Sequence, residues 1–154
     1  MTTQQDTFMQ EAFDLARQAM QNGDHPFGAL LAKDGEVVLT AVNTVNTHND
    51  HTRHAELNLV SQAMRQFDAD FLADCVLYTS TEPCVMCAGA IYWAGITAVT
   101  YGCSAQTLQQ IAGDDFIIPC RDVFARSPRA IIVVGPILEA EGAAIHERFW
   151  PAPL

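Results

Sequence analysis

Apolar residues Phe8, Ala12, Leu15, Ala16 and Ala19 recur on one face at helical spacing and predict a helix from Asp6 to Gln21, stopped by Gly23. Two β-prone apolar runs follow, Phe27 to Ala32 and Val37 to Val42. Lys33-Asp34-Gly35-Glu36 joins them as a hairpin. Asn43 to Thr52 is polar and reads as a loop, and Leu57, Val60, Met64 and Phe67 then resume helical spacing in a second helix that begins near His54. A third strand is expected over Cys75 to Thr79. Pro83 suits the first turn of a third helix that carries Cys84 and Cys87 and ends by Gly95. Ile96 to Tyr101, Thr107 to Ile111, Ala130 to Val134 and Leu138 to Phe149 complete the pattern as strand, short helix, strand and helix. Strands that alternate with helices after an opening hairpin predict an α/β class, a three-layer α/β/α sandwich around a mixed sheet.

Length adds that 154 residues form one domain with a core of its own. No apolar run is long enough to span a bilayer, and the N-terminus lacks the basic and apolar regions of a secretory signal, so the expected location is cytoplasmic. Five scattered cysteines, an odd number, argue against a disulfide framework. Cys75 and Cys103 lie in or at the end of apolar runs and read as small buried hydrophobes. Charge narrows the partners. The formal net charge is −10, Lys33 is the one lysine, and the arginines are dispersed apart from Arg121, Arg126 and Arg129. Proteins that grip a polyanion present Lys/Arg patches, so a nucleic-acid partner is disfavoured.

Two short words carry the chemistry: His54-Ala55-Glu56 and Pro83-Cys84-Val85-Met86-Cys87. They supply one imidazole, two thiols and a carboxylate, enough for three zinc ligands, an open fourth position and a free base. Structural zinc sites are usually closed by four protein ligands, whereas catalytic ones keep a position open. The combination is the signature of zinc deaminases that act on nucleobases. Both words sit where a helix begins, and a helix N-terminus lowers cysteine pKa and favours the metal-binding thiolate. Zinc brings the pKa of its water to roughly 7, giving a nucleophile for the amino-bearing ring carbon, and Glu56 is placed to carry the protons. His25, His48, His51 and His146 read as loop or surface residues; only His54 takes a metal role.

The chain resembles the cytidine deaminase-like superfamily, in particular its guanine deaminase and nucleoside deaminase branch, which is related to tRNA adenosine deaminases. The resemblance runs from Pro26-Phe27-Gly28-Ala29 through Glu82-Pro83-Cys84-Val85-Met86-Cys87-Ala88-Gly89-Ala90-Ile91-Tyr92-Trp93. It implies residues 1–154 as a single zinc-dependent deaminase domain with a five-stranded sheet, a homodimer, one zinc per subunit on His54, Cys84 and Cys87, and Glu56 as proton shuttle. It further places Phe27, Asn43, Ala55 and Trp93 at the substrate. Asp114 or Asp115 would be a second acid, and Phe149-Trp150 an aromatic lid. The stretch from Pro119 to Pro136 departs from the guanine deaminase pattern. The resulting expectation is a hydrolytic deaminase of a free nucleobase or nucleoside, guanine or guanosine first. A tRNA-type adenosine deaminase, a cytosine deaminase and a non-catalytic zinc-stabilised binding domain are the alternatives.

Overall fold

The structure, a computed structural model, describes residues 1–151. Helix α1 (Gln4–Gln21) starts earlier than its apolar stripe suggests, because Thr3 and Asp6 form a reciprocal capping box. Strands β1 (Gly28–Lys33) and β2 (Glu36–Val42) pair antiparallel. Their turn uses Asp34 and Gly35, with φ of 53° and 78°, the left-handed pair a two-residue hairpin needs. After α3 (Ala55–Gln66) come β3 (Val76–Thr81), α5 (Val85–Ala94), β4 (Ala98–Cys103), α6 (Ala105–Ala112), β5 (Ile132–Val134) and α8 (Glu139–Phe149).

Three short helices fall where none was expected: α2 (Val45–His48), α4 (Ala69–Ala73) and α7 (Cys120–Phe124). They span only four or five residues, too few for a periodic stripe, and α4 is started by the Asp68 carboxylate accepting from the Phe71 N–H. Pro83 lies outside α5, whose N-cap is Cys84. Helix α3 also turns a different face inward. Ala55, Glu56, Leu59, Val60 and Ala63 are buried, while Met64 is 47% exposed. The stripe predicted through Leu57, Val60 and Met64 is therefore rotated, because the buried face includes a carboxylate that hydropathy alone would send outward.

The sheet order is β2-β1-β3-β4-β5, with β2, β1 and β3 antiparallel and β3, β4 and β5 parallel. Alternation along the strands divides the core. Ala29, Leu31 and Leu77 pack with α3 residues Leu59, Val60 and Ala63 and with α5 residues Ala88 and Ile91. Leu30, Ala32 and Tyr78 pack on the other face with Phe8, Met9, Ala12 and Phe13 of α1 and with Ile145 of α8. Helix α1 lies so close to β1 that a Cβ at Gly28 would sit 2.5 Å from the Ala16 nitrogen and 2.7 Å from the Ala12 oxygen. Among the described residues, no helix is long and apolar enough to cross a membrane.

Candidate active site

His54 and Cys84 are the N-caps of α3 and α5, and Cys87 follows in the first turn of α5. Neither cap side chain bonds its own helix, so both are free to point at each other. The Nδ1 of His54 lies 3.5 Å from Cys84 Sγ and 3.6 Å from Cys87 Sγ. All three donor atoms fall within 4.8 Å of one another. With Zn–N of about 2.0–2.1 Å and Zn–S of about 2.3 Å, a tetrahedral N···S edge is about 3.6 Å. Both N···S distances match that edge, so the trio suits zinc. Two helix N-termini aim partial positive charge at these thiols. A hydrogen bond from Cys87 first, and then one with His54, pulls the Cys84 thiol down to about 4 against the effect of burial. The hydrogen bond with Cys84 also raises the pKa of His54 above its ordinary value.

Glu56, one residue into α3 beyond Ala55, is only 4% exposed. Its Oε1 lies 2.7 Å from Thr79 Oγ1 on β3. Burial pushes its pKa up, opposed by the Thr79 hydrogen bond. It stands outside the metal trio. Ala55 is fully buried in the first turn of α3, where N–H groups lack intrahelical partners.

A cavity of about 310 Å³ opens onto His54 and is lined by His25, Phe27, Asn43, Leu108, Ala112, Gly113, Asp114 and Trp150 as well. Phe27 and Asn43 bracket the hairpin, and the Asn43 N–H donates to the Phe27 carbonyl at 3.0 Å. Asn43 Oδ1 accepts from the Val45 N–H at 3.0 Å. Its carbonyl end is thus occupied by the loop, and the amide NH₂ is the other end of this cavity-lining side chain. Asn58 ties the loop ahead of α3 to β2 through the Val42 carbonyl and Thr44 Oγ1, each at 3.0 Å. Asp24, buried beside His25, accepts from Thr47 N–H and Oγ1 at 2.8 and 2.6 Å. Burial works to raise the Asp24 pKa, but these bonds prevail and hold it below the ordinary value.

Of the two aspartates, Asp114 lines the cavity, directly after Gly113, whose φ of 79° ends α6. Asp115 is exposed and not among the lining residues. Trp150 forms part of the cavity wall, and Phe149 packs edge-on against it at 4.6 Å. Trp93 is a correction. It is 79% exposed and lines a separate groove with Gly89, Tyr92, Val123 and Phe124, because α5 turns it away from the face that carries Cys84 and Cys87.

His25 lies in a loop, as expected, whereas His146 departs from expectation. His25 borders the cavity, edge-on to Trp150 at 5.3 Å, and burial lowers its pKa. His146 is 1% exposed on α8, its ring centroid 5.2 Å from that of Phe27. Trp150 donates its indole N–H to His146 Nδ1 at 3.1 Å. An indole nitrogen only donates, so His146 carries its proton on Nε2 and donates it to Thr81 Oγ1 at 2.7 Å. His48 and His51 are exposed, as expected. Glu82, unremarked in the sequence, is buried and accepts from the Ala105 N–H at 2.9 Å and the Cys120 N–H at 2.7 Å, fixing the starts of α6 and α7.

The model of the cytidine and deoxycytidylate deaminase zinc-binding region matches residues 2–103. The chain belongs to this family. It is a zinc-dependent hydrolytic deaminase, with His54, Cys84 and Cys87 as the residues that can hold the metal. A probable cytosine deaminase of Schizosaccharomyces pombe is 36% identical over 152 residues, covering 93% of this chain and 90% of that protein. The guanine deaminase of Bacillus subtilis is 42% identical over 114 residues, 73% of each chain. Among solved structures, NE0047 in complex with 2,6-diaminopurine superposes with a TM-score of 0.83 at 26% identity, covering 96% of this deaminase and 82% of that chain.

Proposed function

We propose that this deaminase acts on a free nucleobase or nucleoside, a purine such as guanine or guanosine before the alternatives. The observation that carries the reading is the cavity itself, which reaches His54 and gathers Phe27, Asn43, Asp114 and Trp150 on its walls. Phe27 and Trp150 offer apolar faces to a planar ring, and Asn43 offers N–H donors to a ring acceptor. Bound zinc supplies a water-derived nucleophile at neutral pH. Glu56 carries protons to the ring nitrogen and then to the departing amine, and the sum is water plus aminated ring giving carbonyl plus ammonia. Asp114, on the cavity wall, is the candidate second acid for that transfer, and the first turn of α3 at Ala55 is the candidate source of N–H donors to the substrate.

The likeness to the Bacillus subtilis guanine deaminase and to a protein solved with 2,6-diaminopurine supports a purine. Cytosine is the second reading, favoured by the likeness to the probable cytosine deaminase over nearly the whole chain. The net charge of −10 weighs against an RNA-borne adenosine. A homodimer is part of this reading, supported by exposed Trp93 over its apolar groove. The test is ammonia release by zinc-loaded protein from guanine, guanosine, adenosine, cytosine and cytidine. Turnover of guanine or guanosine that disappears in Glu56→Gln is the expected result; turnover of cytosine alone moves the assignment to the second reading.

A further inference from the structure

Glu56 does not stand alone. Its carboxyl oxygen Oε1 meets Thr79 Oγ1 at 2.7 Å, and Thr79 is wholly buried. Thr79 lies on β3, the middle strand of the sheet, where it pairs with Ala29 of β1 and Tyr101 of β4. Backbone ladders on both sides make it one of the more rigid points in the molecule. Glu56 has three side-chain torsions to fix, and its side-chain partners are the Thr79 hydroxyl and, on the side of the metal trio, the Cys87 thiol. A flexible carboxylate that must meet both a nucleophile and a ring nitrogen needs such an anchor.

We propose that Thr79 is the positioning residue for Glu56, holding its carboxyl group at the place where proton transfer to substrate occurs. The inference rests on the reading of Glu56 given above and adds to it. The hydroxyl has a second acceptor within reach, the Thr81 carbonyl at 3.1 Å. The Thr79 oxygen is thus held at a fixed place on β3, between two strand ladders and the Thr81 carbonyl, and within hydrogen-bond distance of the Glu56 carboxyl group.

Thr79→Val preserves shape and removes the hydroxyl, whereas Thr79→Ser keeps the hydroxyl and removes a methyl group. On the substrate returned by the panel above, Thr79→Val is expected to lower kcat roughly 10- to 100-fold. Its KM should stay within about twofold. Zinc content should be unchanged, and Thr79→Ser should recover most of the lost rate. Wild-type kcat in Thr79→Val overturns the proposal. So does an equal loss in both variants, which would mark a packing role. Glu56→Gln separates the layers: if it is inactive while Thr79→Val is normal, only the Thr79 inference falls; if it turns over normally, the reading of Glu56 falls as well. A crystal structure of zinc-loaded Thr79→Val gives a readout free of turnover. The Glu56 carboxyl should be displaced or disordered, and one that keeps its place overturns the proposal.

Discussion

Acid should weaken this protein through His146 well before its carboxylates are protonated. The imidazole is buried, neutral and locked between the Trp150 indole and the Thr81 hydroxyl, and burial lowers its pKa from 6.5 to about 4. In the unfolded chain the same ring accepts a proton near pH 6.5. Its contribution to stability is therefore complete above 6.5 and is lost as the pH falls toward 4, the interval in which only the unfolded chain takes up the proton. With those two values the loss is about 2 kcal/mol between pH 7 and pH 5 and about 3 kcal/mol by pH 4. At an m-value of about 2 kcal/mol/M in urea, the midpoint should fall by roughly 1 M between pH 7 and 5. Zinc release contributes to acid sensitivity too, so the informative quantity is a difference. Urea unfolding followed by circular dichroism, for wild type and His146→Gln across pH 7 to 4.5, should show a steeper decline in the wild type. Parallel curves would refute the assignment of a neutral, depressed imidazole at this position.

Removing a thiol from the trio, in Cys87→Ala, should abolish stoichiometric zinc by metal analysis and lower Tm, because binding free energy at such sites is folding free energy. Gly28→Ala forces a methyl group into the backbone of α1, with its Cβ 2.5 Å from the Ala16 nitrogen, and should cost about 1–3 kcal/mol or more by chemical denaturation. Glu82→Ala leaves the buried N–H groups of Ala105 and Cys120 without their acceptor, each a loss of about 1–3 kcal/mol. Because α6 carries Leu108 and Ala112 to the cavity, that variant should raise KM more than it lowers kcat in steady-state assays.

The long elements were legible because each has a stripe or run to announce it: the Phe8–Ala19 stripe of α1, the hairpin around Asp34-Gly35, and the apolar runs of β3 and β4. The ends were less legible, since β3 and β4 extend through Thr81 and Cys103, past their apolar runs, on ladder hydrogen bonds that polar residues make equally well. The trio and Glu56 could be read from two words because local spacing fixes their places at helix starts. Thr79 could not. It follows Leu77 at the two-residue period of a strand, which marks it as inward-facing, but nothing local says which carboxylate it meets. His146 left a signal in its i−4 and i−3 neighbours Gly142 and Ala143, both small and buried, a pattern of close packing masked by the polar residues around it. Trp93 misled for a different reason. The family resemblance put it at the substrate, and α5 is apolar nearly all round, so periodicity offered no direction to check that placement.

Six consecutive residues at the end of β3 reach four parts of the molecule: Thr79 to Glu56, Thr81 to His146, Glu82 to the starts of α6 and α7, and Cys84 to the metal trio. Insertion of one residue directly before Thr79 would shift the register by about 3.3 Å, reverse the facing of the strand residues from Thr79 to Thr81 and displace the four connections together. The segment from Gly113 to Pro119 gives only Gly113 and Asp114 to the cavity, and none of its side chains takes part in those four connections. A change of length in the turn after α6 would move Gly113 and Asp114 on the cavity wall and leave the β3 connections intact, whereas one at the β3 terminus would disturb the metal trio and the starts of α6 and α7 together.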